Sequence, residues 1–549
     1  MTPPDLKEAP PLEGEADVLA QKASSEPPEI EQVSARAGMV GFFTFLSRLF
    51  GLARDTLIAY LLGAYQAADA FYVAFRIPNL LRRLLAEGSL TISFVPVFTE
   101  YLKKDRNEAK RVANYTFTLL SLLLLIITLI GVIFAAAFVK LTAFGFTQNP
   151  EKFALTVELT RITFPYIFLV SLGALAMGIL NSLKHFSTPA ASPIFLNVGI
   201  ILGALFLSRY TSEPSVALAI GVIVGGVLQI LLQVPPLLKL GFFPKISWNP
   251  RHPGVRKILN LMLPSIYGSA VYQLNILAIT FMASFLATGS VSWLWYADRV
   301  MEFPLGVFAI SFATVILPQL SDHAADNNIA HFKKTFQDGL KMIYFVNIPA
   351  TVGLVVLANL IISVLFQHGN FSPRSTEMTA QALQCFALGL PFVSGARISS
   401  SAFYALQDAR RPVRAANLAV LVNILVGASL IKFLGHRGLA LGVASGSFFN
   451  FILQITDLRK KMGRLGLKKM LGGILKILLA SAGMGAALYF ATPWVRDFFG
   501  HSAVQRLLAL MVLILWGVLV YGVLAFLLRI AELNSFLKLV NRKILRKRQ

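Results

Sequence analysis

The chain has 549 residues, of which 56% are apolar and only 14% charged, and its mean hydropathy is +0.67. This excludes an ordinary soluble multidomain protein, and charge-free runs such as Val112 to Val139 exclude a barrel, whose strands are about half as long and alternate. The formal net charge of +23 would suit a nucleic-acid binder, but its distribution along the chain assigns it to loops beside a membrane.

In chain order, residues 1–36 are rich in Pro and Glu, lack an apolar core, and read as a disordered acidic tail rather than a signal peptide. Fourteen helical spans are then predicted, at 37–63, 67–98, 112–140, 155–183, 190–209, 214–240 and 256–287, then at 290–320, 335–366, 378–406, 413–434, 438–458, 470–493 and 504–530. Residues 531–549 form a basic tail. The fold class expected is an all-α polytopic membrane protein.

With the N-terminus inside, the loops after even-numbered spans read EYLKKDRNEAKR, SLKHFS, KLGFFPKISWNPRHPGVRK, HFKK, ARRPVR and RKKMGRLGLKK. The opposite loops, such as GAYQAA, ATGSVS and KLTAFGFTQNPEK, are poor in Lys and Arg. This asymmetry puts both termini in the cytoplasm and makes anionic lipid headgroups, not nucleic acid, the partner of the basic loops.

The chain also resembles itself. SFVPVFTEY ends the second span and TVILPQLSDH the eighth, with Pro96 and Pro318 lying 222 residues apart. LNSLKHFSTPAASPIFLN and LQDARRPVRAANLAVLVN match at an offset of 226, pairing Asn197 with Asn423. Two parallel six-helix lobes, 37–240 and 256–458, are expected around a central cavity, followed by an extra pair over 470–530. That is the organisation of a transporter working by alternating access.

Charge inside the spans marks the candidate site, because an arginine at mid-membrane costs at least about 2.5–3.5 kcal/mol. SRLFGLARD carries Arg48, Arg54 and Asp55, with Arg48 and Asp55 seven apart on one helix face. On the next span Asp69, Arg76 and Arg83 repeat every seven residues, beside Arg82 and with Glu87 a turn beyond, around Pro78 and Asn79. In the second half YADRVMEFP supplies Asp298, Arg299 and Glu302, and Arg397 lies in the tenth span. Such a stripe must face water or another polar helix, and arginine's planar fork suits a phosphate or diphosphate.

The stretch from Ser47 to Tyr101 resembles the N-terminal signature of the MurJ/MviN family of lipid II flippases. YADRVMEFPLGVFAISFATVILPQLS and FYALQDARRPVR are similar to that family's second and third signatures. The resemblance covers nearly all of 37–530. It implies a fold of the multidrug/oligosaccharidyl-lipid/polysaccharide exporter superfamily, with the last two helices forming a groove for a polyprenyl tail. It also implies that lipid II, an undecaprenyl-pyrophosphoryl disaccharide-pentapeptide, moves from the inner to the outer leaflet of the bacterial cytoplasmic membrane for peptidoglycan synthesis. Arg48, Arg54, Arg76, Arg82, Arg83 and Arg299 are then expected to bind substrate in the cavity, and Asp55, Asp69, Glu87, Asp298 and Glu302 to form its gating charge network. Other cell-wall synthesis or division proteins are the implied protein partners. Related exporters of other polyprenyl-linked oligosaccharides or of drugs are the alternative, although a drug exporter predicts fewer arginines. Some members bind sodium through acidic residues on the seventh and eleventh helices. Here Ile258–Ala297 and Ala415–Ile431 hold no Asp or Glu, which leaves membrane potential as the expected driving force.

No enzyme, cofactor or metal is expected. There is no Gly-rich phosphate loop ending in Lys-Ser/Thr, no paired histidine spacing and no nucleophile–base pair beside Ser47. The acidic loop DHAADNN lacks the aspartate spacing of a metal–diphosphate site, and the single Cys385 is an inert thiol in an apolar stretch.

Overall fold

A computed structural model of the chain describes residues 29–500 and 502–534, and among these every regular element is a helix. The first half comprises α1 (Glu29–Leu62), α2 (Gln66–Arg82), α3 (Thr91–Lys104), α4 (Arg106–Ile133), α5 (Ala135–Thr142), α6 (Pro150–Thr163), α7 (Tyr166–Ser182), α8 (Ser187–Leu202) and α9 (Pro214–Lys239). The second comprises α10 (Pro253–Ser284), α11 (Ser290–Pro304), α12 (Ile310–Ala325), α13 (Ile329–Phe366), α14 (Pro373–Ala387), α15 (Leu390–Ala405), α16 (Arg410–Leu434) and α17 (His436–Met462). The last pair is α18 (Leu467–Phe499) and α19 (Ala503–Leu527).

Each of the fourteen predicted spans falls on one helical run or on two runs joined at a break. Eleven helices among the described residues are long and apolar enough to cross a membrane. The runs 29–62 and 66–104, which carry the charged signature, are not among those eleven. Residues 1–28 and 535–549, most of the two predicted tails, lie outside the described residues, and residues 29–36 fall within α1.

Prolines inside the spans leave carbonyls without their helical donor, and neighbouring hydroxyls take them up. Pro78 frees the Ala74 carbonyl, which accepts from Thr163 Oγ1 of α6 at 3.2 Å. Pro349 frees the Phe345 carbonyl, which accepts from Tyr521 of α19 at 2.8 Å and so ties the C-terminal pair to α13. The outward faces of α18 and α19 remain apolar and exposed, with Phe490, Leu515 and Phe526 among them.

The helix pairs α8–α9 and α16–α17 approach through small residues. A Cβ on Gly225 would strike the backbone of Leu196, and one on Gly446 the carbonyl of Ala419. Gly221 and Gly225 of α9, like Gly442 and Gly446 of α17, sit one turn apart on the contact face.

The internal similarity has structural counterparts. The second helix of each half widens into a π turn, Arg83–Leu90 after α2 and Leu305–Ala309 after α11, and the two turns begin 222 residues apart. Lys184 and Gln407 both take left-handed backbone, at φ 60° and 54°, in loops before α8 and α16. Each loop closes with the same hydrogen bond, His185 N–H to the Leu180 carbonyl and Asp408 N–H to the Phe403 carbonyl, both at 2.9 Å. This register of 223 replaces the offset of 226 read from the asparagines and places Asn423 opposite Ile200 rather than Asn197.

Candidate functional site

At one end of the helices, Asp69 joins the two halves. It lies in the first turn of α2, buried, and its carboxylate faces the start of α11. There it accepts from Gly289 N at 2.8 Å, Ser292 N at 2.9 Å and Ser292 Oγ at 2.6 Å, capping a helix of the other half. Gly289 reaches this position with φ 99°, and a Cβ there would meet the Ala64 carbonyl and the ring of Trp293. The buried Lys152 of α6 completes the cluster at 2.7 Å and also lies 3.9 Å from the centre of the Phe146 ring. A carboxylate with an ammonium and three N–H or O–H donors is fully satisfied, which offsets its desolvation.

More bonds join the halves at the same end. Asn370 donates from its backbone to the Tyr60 carbonyl at 3.0 Å and from Nδ2 to the Leu61 carbonyl at 2.7 Å. Tyr296 donates to the Gly63 carbonyl at 3.2 Å, and Gly145 N to Ser284 Oγ at 2.9 Å.

About two turns before the end of α1, Arg54 and Asp55 form a buried pair. Arg54 Nε and Nη2 donate to Asp55 Oδ1 at 3.0 and 2.7 Å, and Nη1 donates to Asn197 Oδ1 at 3.0 Å. Asn197 in turn donates to the Ser47 carbonyl at 3.1 Å, so α8 braces this part of α1. The second oxygen of Asp55 lies 3.7 Å from Arg299 Nε. Arg48 extends toward the π turn of the second half, where a Cβ on Gly306 would overlap its guanidinium.

Between the halves lies a cavity of about 450 Å3, walled by α10, α11, α15, α16 and α17 together with the end of α2. Four arginines (Arg76, Arg83, Arg299 and Arg397) and two carboxylates (Asp298 and Glu302) line it, so its charge is net positive. Trp295 organises this wall. Arg76 and Arg299 lie 5.0 and 4.7 Å from its ring centre, and Tyr72 stacks against it at 4.7 Å. Both cations thereby gain an aromatic face in a desolvated site. Arg76 also donates to Thr280 of α10, and Arg299 to Glu302 at 2.8 Å. Arg83 has no hydrogen-bond or ion-pair partner among the described residues.

The predicted site residues therefore do not form one cluster. Arg76, Arg83, Asp298, Arg299 and Glu302 line the cavity. Arg54 and Asp55 form an internally bonded cluster behind it, and Arg48 meets the second π turn. Asp69 sits in the cluster at the closed end, so the seven-residue stripe on α2 serves two locations. Arg82 donates to Asn79 at 2.8 Å on its own helix. Glu87 lies in the first π turn, and its side chain is outside the described residues.

Sequence reasoning missed Lys152, which it placed in an outer loop, and Trp295, whose only signal was its place four residues before Arg299. No group of three or more His, Cys, Asp or Glu side chains that could hold a metal occurs among the described residues.

Comparison with known proteins adds a family. A family model described as lipid II flippase MurJ matches residues 58–533. A probable lipid II flippase MurJ of Vibrio cholerae is 38% identical over 507 residues, covering 90% of this chain and 97% of that protein. A lipid II flippase MurJ of Burkholderia cenocepacia is 37% identical, covering 88% and 95%. Among solved structures, a lipid II flippase MurJ in an inward closed conformation matches with a TM-score of 0.75 at 28% identity, covering 89% of this chain and 98% of that one. An inward-facing multidrug transporter of the MATE family shares the fold with a TM-score of 0.64 at 15% identity, covering 76% and 95%.

Proposed function

The chain belongs to the lipid II flippase MurJ family, and from that membership we propose that it carries lipid II from the inner to the outer leaflet of the bacterial cytoplasmic membrane. The observation that supports this reading is the net-positive cavity between the halves, which Arg83 lines with no hydrogen-bond or ion-pair partner among the described residues. A diphosphate there gains charge-assisted, bidentate hydrogen bonds, while Asp298 and Glu302 hold the remaining guanidinium charge in place.

In this reading residues 37–240 and 256–458 act as two lobes that rock about the cavity. The Asp69 cluster and the Asn370 bonds hold the lobes together at the end that the charge asymmetry of the loops assigns to the outside. Both termini are cytoplasmic. Rocking breaks those bonds and opens the cavity outward, and the membrane potential drives the cycle. The hairpin of α18 and α19, over 470–530, holds the polyprenyl tail in the lipid phase while the headgroup crosses. Every step is binding and movement, with no covalent chemistry.

A cell strain depleted of its own lipid II flippase tests the proposal. The wild-type chain is expected to restore growth and to clear lipid II from the inner leaflet. Arg83→Ala should do neither at normal protein level. Growth restored without movement of lipid II, or full function of Arg83→Ala, would overturn the reading.

A further inference from the structure

Opposite the arginines, the cavity has a wall of a different kind. Gln273 and Asn275 of α10, Asn417 and Asn423 of α16 and Asn450 of α17 all line it. They come from helices that are otherwise apolar, where a side-chain amide is costly unless it is bonded or has a ligand to meet. Three of the five have unmet hydrogen-bonding capacity among the described residues. Gln273 is only 6% exposed, and its amide bonds to no other described residue. Asn423 donates to Asn275 Oδ1 at 2.6 Å, yet its own Oδ1 is buried without a donor. Asn417 likewise has no hydrogen-bond partner among the described residues. Asn450 belongs to a bonded chain, accepting from Gln454 at 3.0 Å, while Gln454 accepts from Ser400 at 3.0 Å.

An amide both donates and accepts, and it carries no charge. It adds little to the recognition of a diphosphate, which offers acceptors only and is already met by guanidinium groups. It suits a ligand that presents N–H, O–H and C=O together, as acetamido sugars and peptide bonds do.

We propose that this amide wall is a second subsite, which binds the acetamido-sugar and peptide part of the headgroup while the arginines hold the diphosphate. The proposal rests on the lipid II reading and assigns the choice among polyprenyl diphosphates to the amides. Charge anchors the shared part of these lipids. The amides reject a carrier without the sugar and peptide, because its binding would leave their polar atoms unpaired.

The test compares two lipids on the purified full-length protein, lipid II and undecaprenyl diphosphate, with affinities measured by native mass spectrometry. Wild type should bind lipid II more tightly. Gln273→Leu and Asn417→Leu combined should weaken lipid II binding by about tenfold or more, the loss expected for two hydrogen bonds. Affinity for undecaprenyl diphosphate should stay within about twofold by the same arithmetic, which also reports that the variant is folded. Gln273→Asn should retain part of the preference. Equal weakening of both lipids, or no change in either, would overturn the amide subsite. A wild-type chain that binds undecaprenyl diphosphate as tightly as lipid II, or binds neither, would instead overturn the functional reading on which the proposal rests.

Discussion

Lys152 and Asp69 are each nearly fully buried, and neither is tolerable alone. The pair balances charge within the first half, and the backbone N–H groups at the start of α11 add to that balance only while the halves touch. Lys152→Met leaves a buried carboxylate without its cation and should destabilise the protein by about 3–5 kcal/mol. Thermal unfolding in detergent should show a lower Tm for Lys152→Met and partial recovery in Lys152→Met with Asp69→Asn. An unchanged Tm for the single variant would show that the ion pair contributes nothing. The sequence made Asp69 visible as a charge inside a span, but not its destination. Its seven-residue spacing from Arg76 correctly put the two on one face of α2, and yet α2 is long enough that one face meets the α11 cap at its start and the cavity further along. The contact with Gly289 and Ser292 joins residues 220 or more apart in sequence, and no local pattern encodes that distance. The partner of Arg54 was hidden for the same reason, since Asn197 lies 143 residues away.

Helices were more legible than contacts. Length and hydropathy located the predicted spans, because a run that must satisfy every backbone group in lipid has few alternatives to a helix. Breaks were less legible. Pro78 and Asn79 suggested a break in the second span, but the widening begins at Arg83, and the matching turn at Leu305 carried no signal beyond Pro304. Glycine pairs had meaning only once partners were known. Gly225 permits backbone contact between α9 and α8, whereas Gly353 of α13 has open space where a Cβ would be. Gly225→Leu should therefore force the two helices apart and lower both Tm and the yield of folded protein, while Gly353→Leu should leave both unchanged. Purification yield and thermal unfolding of the two variants make the comparison, and equal behaviour would contradict the packing described.

Across the whole molecule, the bonds of Asp69, Asn370, Tyr296 and Gly145 join the halves at one end, and the charged cavity lies further along the same interface. In the rocking cycle proposed above, those bonds break on opening. Cysteines at Leu61 and Asn370, in a chain whose Cys385 is replaced by Ala, should form a disulfide under oxidation that keeps this end shut. Lipid II movement in proteoliposomes should stop on oxidation and return with a reductant. Movement that continues through the cross-linked protein would mean that this end does not open. The amide wall belongs to the same scale, because five side chains on three helices become one surface only when α10, α16 and α17 are assembled. Each was an isolated polar residue in an apolar run, and the charged residues drew the sequence reading away from them.

The paired π turns also mark the internal repeat. A π turn is an α-helix with one residue too many, and here two of them begin at matching places in the two halves. A third π turn, Gly203–Leu207 after α8, has no counterpart after α16, so only this pair follows the internal register. In the 222 register Arg76 stands opposite Asp298 and Arg83 opposite Leu305, so the charges do not repeat although the π turn does. The π turn is thus shared by the two halves, and the cationic face belongs to one of them.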